Sequence, residues 1–182
     1  MSNSVRARLQ KLLATPEPPQ LGPGPRPGQR PQRELEAELK SILGDSGLPD
    51  DSRALLRALV LLWHDHLDAA HTIAQAIETP DGSLLHAMLH RREPDFWNSK
   101  YWWRRVGAHP VFAKLAPRVR ALLEARGAGP LLGRIMPGGR WDAGAFVDFC
   151  EQPGGQDELL REIQRVEFEA MLDHLAADSQ HA

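Results

Sequence analysis

The chain has 182 residues, 42% of them hydrophobic, with a formal net charge of −2. That length suffices for one domain with a sizeable core. The balanced charge supplies no broad basic field for nucleic acid, no apolar run approaches the roughly 18 residues of a membrane span, and the lone Cys150 excludes an intrachain disulfide. With no apolar signal-like stretch near the N-terminus, the expected location is the cytoplasm.

Residues 4–13 can form a short amphipathic helix with Val5, Leu9, Leu12 and Leu13 on one side. The run that follows alternates proline with glycine and polar residues, which sustains neither helix nor sheet. Residues 1–33 therefore read as a flexible arm, a tether open to a proline-recognising protein partner. A single all-helical domain is expected over 34–178, opening with Leu35, Leu39, Ile42 and Leu43 at helical spacing before Gly44.

After the turn at residues 47–52, one long helix is predicted to about Ile77, and a second from Ser83 to about Arg92, halted by Pro94. Asp95 caps a third, from Phe96 to Val106, and Pro110 opens a fourth whose core face is Phe112, Leu115, Val119, Leu122 and Leu123. Residues 127–141 are rich in glycine and proline and read as a loop long enough to fold over something. Asp142 caps a short helix to Cys150, and Leu159 to Leu175 mark the last one. No segment alternates with a strand's period of two, so the expected fold is an irregular all-α bundle of about six helices.

Six of the eight histidines and four of the five tryptophans fall between Trp63 and Pro110. His64, Asp68 and His71 recur at i, i+4 and i+7, and His86, His90 and Glu93 repeat that spacing. On helices each trio borders the apolar arc on the same rotational side. A short connection makes the two helices antiparallel neighbours, so the trios point either toward each other or directly apart. Convergence would set His71 level with His90, Asp68 with Glu93 and Gln75 with His86. Imidazole and carboxylate together suit zinc, iron or manganese. An ordered, metal-free polar network and a solvated face are the competing readings of the same spacing. Aspartate and histidine here do not follow the Glu-x-x-His pattern of di-iron bundles. His66 falls inside the apolar arc and reads as a core histidine.

The string from His90 to Pro110 interleaves Arg91, Arg92, Lys100, Arg104 and Arg105 with Phe96, Trp97, Tyr101, Trp102 and Trp103. Trp97, Lys100 and Arg104 share a helical face, an apolar surface beside two cations on which a carboxylate or phosphate could rest. Arg91, Arg92, Asn98, Tyr101, Arg105 and His109 complete this candidate ligand-binding set. Trp102 and Trp103 are expected in the core.

Two strings carry a resemblance. Asp65, Leu67, Asp68 and His71 match a D-x-L-D-x-x-H segment; His90 to Glu93, Asp95, Asn98, Lys100 to Trp102, Arg104, Arg105, Gly107, His109 and Pro110 match H-R-R-E-x-D-x-x-N-x-K-Y-W-x-R-R-x-G-x-H-P. Together they resemble an uncharacterised family of small soluble proteins, and the resemblance implies no activity. His64 followed by Asp65 also resembles the doublet of HD-type phosphohydrolases, but no histidine precedes His64, as that family requires.

The expected function is therefore binding of a small anionic ligand in a His/Asp/Glu/Arg pocket, with a divalent metal held by His71, His90 and Asp68 or Glu93, and His64 and His86 as further candidates. Were it an enzyme, a metal-dependent hydrolase or an oxidase or oxygenase would fit these groups. The alternative is a non-catalytic interaction module in which the same residues form a structural network.

Overall fold

The computed structural model describes residues 2–177, so the expected domain end at 178 lies just outside it. The described residues contain ten α-helices and no strand: α1 (Ser2–Leu13), α2 (Gln32–Leu43), α3 (Asp50–Trp63), α4 (Leu67–Ala74), α5 (Pro80–Arg92), α6 (Phe96–Val106), α7 (Val111–Ala125), α8 (Gly129–Ile135), α9 (Ala143–Glu151) and α10 (Asp157–Leu175). The all-α class agrees with the sequence, while the count corrects the expected six or so. Among the described residues no helix is long and apolar enough to cross a membrane.

Two differences account for much of the larger count. The loop expected over 127–141 contains α8 and a 3-10 turn at Pro137–Gly139. The long helix expected to Ile77 breaks at His64–His66, where Asp65 adopts a left-handed φ of 65°. Neither glycine nor proline marks that break. Its cause is tertiary: the Asp65 carboxylate accepts the Arg26 backbone N–H at 2.9 Å, Arg26 Nη1 at 2.7 Å and Arg92 Nη2 at 2.7 Å. These charge-assisted bonds outweigh continued helix, and aspartate tolerates the left-handed turn better than most residues.

α5 is the hub of the bundle. Thr79 caps it by accepting from the Gly82 N–H at 3.1 Å, Pro80 supplies a preset first turn, and every residue from Gly82 to Arg92 is buried. A helix buried on all sides is ordinarily apolar throughout. Here His86, His90, Arg91 and Arg92 lie on it, and each must find its partner inside the protein.

The proline-rich segment between α1 and α2 has no regular structure, as its composition leads one to expect, yet it is bonded along its length to the bundle. Arg92 donates to the carbonyls of Gln20 and Gly22, at 3.2 and 3.1 Å. Gln164 of α10 donates to those of Pro19 and Gln20, at 3.0 and 3.2 Å. His64 Nδ1 accepts the Arg30 N–H at 3.4 Å, and His66 donates to Arg30 O at 2.8 Å. The Arg26 side chain is itself buried against Asp65. Extended backbone offers unpaired carbonyls, and buried guanidinium and amide groups of the bundle use them.

Candidate metal centre

α4 and α5 pack together, and His71 of the first histidine stripe converges with His86 and His90 of the second. One nitrogen from each of His71, His86 and His90 lies within 4.8 Å of the other two. His71 Nε2 meets His86 Nε2 at 2.8 Å, and the His86 and His90 rings stack at 4.7 Å. His71 lies against His90, as expected, and reaches His86 as well, while Gln75, expected opposite His86, is exposed.

Glu93, at the C-cap of α5, holds two of the three rings. Its carboxylate oxygens accept from His71 Nδ1 at 3.2 Å and His90 Nδ1 at 3.0 Å. Asn98 of α6 reaches His90 Nε2 at 3.1 Å, and Trp102, one turn further on, stacks on His86 at 4.1 Å. Protons on the two Nδ1 atoms leave the Nε2 atoms of His71 and His90 as acceptors. His86 Nδ1 is buried and has no partner among the described residues.

Burial, reinforced by the neighbouring His90 and His71, pushes His86 down to about 4. Burial also lowers His90, against the opposing pull of Glu93. Both imidazoles therefore remain neutral at physiological pH, the protonation state that binds a metal. His86 and His90 are buried while the His71 side chain is 30% exposed, so the cluster opens to solvent on the α4 side.

Of the six metal-ligand candidates in the sequence, His71, His86, His90 and Glu93 come together. His64 does not. It is fully buried at the end of α3, spent on Leu12 O. Asp68 is exposed on α4 and makes no contact with the cluster. The helix break turns the first trio's stripe, so His64 no longer shares a face with His71.

The candidate ligand-binding set disperses. Arg91 and Arg92 are fully buried; Arg91 pairs with Glu167, and Arg92 with Asp65 at 2.7 Å. Neither presents a cation to a ligand, which corrects the expectation. Lys100 pairs with Asp148 of α9, and Arg105 lies over Tyr101 and Trp102. Arg104 is exposed on the far side of α6 from the histidines. Trp103 is buried as expected, whereas Trp102 is half-buried against His86. His66 bonds to the strap and is only half-buried.

His109 belongs to a second cluster that sequence reasoning missed. Asp81 Oδ1 accepts from His109 Nε2 at 2.9 Å and from His174 Nε2 at 2.7 Å. Burial opposes the Asp81 charge, but the two histidine hydrogen bonds outweigh it and hold the carboxyl well below the usual carboxylate range. His109 Nδ1 accepts the Val111 N–H at 3.2 Å, so its proton sits on Nε2, the nitrogen that meets Asp81. In that tautomer the trio clasps α5, the turn before α7 and α10 together; its ligand atoms also lie within 4.8 Å of one another, as those of a metal group would. His174 lies outside both polar strings, and nothing in its spacing marks it.

The chain matches no family model, no curated protein and no solved structure.

Proposed function

We propose that the protein binds one divalent transition metal through His71, His86 and His90, and that a small anion occupies the coordination position left open toward solvent. The observation that carries this reading is the convergence of three ring nitrogens, from two helices, within 4.8 Å. Three imidazoles favour zinc or iron over manganese, which prefers oxygen ligands. Glu93 would act as the carboxylate behind the histidines, fixing the Nδ1 protons so that Nε2 lone pairs face the ion. A three-histidine site with one free position can polarise a bound anion or water, and hydrolysis is the chemistry best matched to it.

A metal-free reading has its own support. Asn98 to His90, His90 to Glu93, His71 to Glu93 and His86 to His71 form a nearly closed chain of hydrogen bonds, with only His86 Nδ1 unpaired. On that reading the cluster is structural and the protein is an interaction module.

Metal titration of chelator-stripped protein, purified without a histidine tag, separates the two. One equivalent of zinc or ferrous iron should bind, His71→Ala and His86→Ala should each abolish it, and Glu93→Gln should weaken it about 10- to 100-fold. Asp81→Asn, in the second cluster, should leave binding unchanged. Substoichiometric metal, or binding that survives both histidine substitutions, would leave the structural network standing instead.

A further inference from the structure

α6 has two working faces. Asn98 and Trp102 look toward the histidines, while Lys100, Trp103 and Arg104 line a cleft of about 730 Å³ on the other side. Phe112 of α7 and the segment Pro137–Gly144 complete its walls. That volume falls within the range of small-molecule sites. The glycine- and proline-rich stretch flagged in the sequence as long enough to cover something is the stretch that supplies Arg140 and Trp141.

Three features of the lining call for an anion. Lys100, Arg104 and Arg140 gather there beside one carboxylate, Asp142; Lys100 is paired with Asp148, and neither Arg104 nor Arg140 makes an ion pair among the described residues. The first turn of α9 begins at this wall, and the N–H groups of Ala143 and Gly144 have no acceptor, since Asp142 caps only Ala145. Backbone donors at a helix start favour negative charge. Independently of both, the indole N–H groups of Trp103 and Trp141 are buried with no hydrogen-bond partner, although Trp103 is only 7% exposed. Buried donors are nearly always satisfied, so these two, on residues that line the cleft, are unmet polar groups at its wall. The aromatic walls, Trp103, Trp141 and Phe112, suit a flat apolar body.

We infer that this cleft is a second binding site, separate from the histidine cluster, for a flat organic anion: a ring between the aromatic walls, with its carboxylate or phosphate met by Arg104, Arg140 and the start of α9. α6 stands between the two sites, so the inference is independent of metal binding.

Calorimetric titration of the metal-free full chain in phosphate-free buffer tests it, with 2-naphthoate, 1-naphthyl phosphate and the neutral 2-naphthalenemethanol as probes. At least one anion should bind saturably at one per chain, at least tenfold tighter than the alcohol. Arg104→Gln and Arg140→Gln, both at exposed positions, should each weaken that anion about tenfold and leave zinc titration unaltered. Trp141→Phe, which shortens one aromatic wall, should weaken it too. No saturable binding of either anion, equal binding of the alcohol, or wild-type affinity in both arginine variants would overturn the inference. Carboxylate and phosphate are told apart by which anion binds tighter.

Discussion

Replacing Asp65 by Asn removes a single charge from the point where helix break, strap and hub meet. The Asp65 side chain is 1% exposed and serves two guanidinium groups, those of Arg26 and Arg92. Burial pushes Arg92 down to about 10, with Asp65 opposing it, so both arginines are charged at neutral pH. Asparagine tolerates a left-handed φ as aspartate does, so the substitution spares the backbone while removing the charge and one of the two acceptor oxygens. Removing one partner of a buried pair costs about 3–5 kcal/mol. Arg92 keeps its carbonyl partners in Leu62, Gln20 and Gly22, which places the expected loss near the lower end, about 3 kcal/mol. For a chain of this size that corresponds to roughly 6–12 °C in melting temperature. Urea denaturation followed by far-ultraviolet dichroism measures the loss, and amide exchange over residues 14–31 should speed up, because the Arg26 N–H is itself bonded to Asp65. A loss below about 1 kcal/mol at unchanged m-value, with exchange in the strap unaltered, would refute the view that Asp65 anchors it.

Three further outcomes follow from other sites. His86 ionises near 4 when folded and 6.5 when not, so the unfolded chain binds a proton that the folded one refuses. Stability of the metal-free protein should fall as pH drops from 6.5 to 4, by at most roughly 3 kcal/mol from this group, and His86→Gln should flatten that slope; parallel slopes would contradict the burial argument. Burial pushes the Cys150 thiol up to about 12 against the pull of Arg91, and a thiol reagent at pH 8 should label it only after denaturant is added. A Cβ at Gly82 would lie 2.0 Å from the Ile77 carbonyl oxygen, so Gly82→Ala should destabilise by about 2 kcal/mol or more in the same urea assay.

Local chemistry made much of the fold legible. Pro94, Asp95 and Gly107 set the end of α5 and both ends of α6 where the sequence put them, α5 starts at Pro80, three residues before the expected Ser83, and leucine spacing located α2 and α10. The same-side offset of His71, His86 and His90 allowed convergence, and they converge. What stayed hidden depends on partners far along the chain. The break at Asp65 is made by residues 39 and 27 positions away. Arg91 and Arg92 look like surface cations beside an apolar arc until Glu167 and Asp65 close on them. Amphipathicity tells which side of a helix is wet, and α5 has no wet side. Composition barred the strap from helix and sheet, but carbonyl acceptors belong to every residue alike, so no pattern announces that buried donors will use them.

The lacing of the strap onto α10 also orders events in time. A ribosome releases residues 5–31 long before residues 157–175, yet Gln164 holds Pro19 and Gln20, and Asp173 takes Arg6 at 2.6 Å. The segment that follows α1 must therefore wait without these partners until α10 has appeared. Contacts of such separation form slowly. The alternating prolines and glycines suit the interval: a segment unable to build helix or sheet has little wrong structure to enter while it waits.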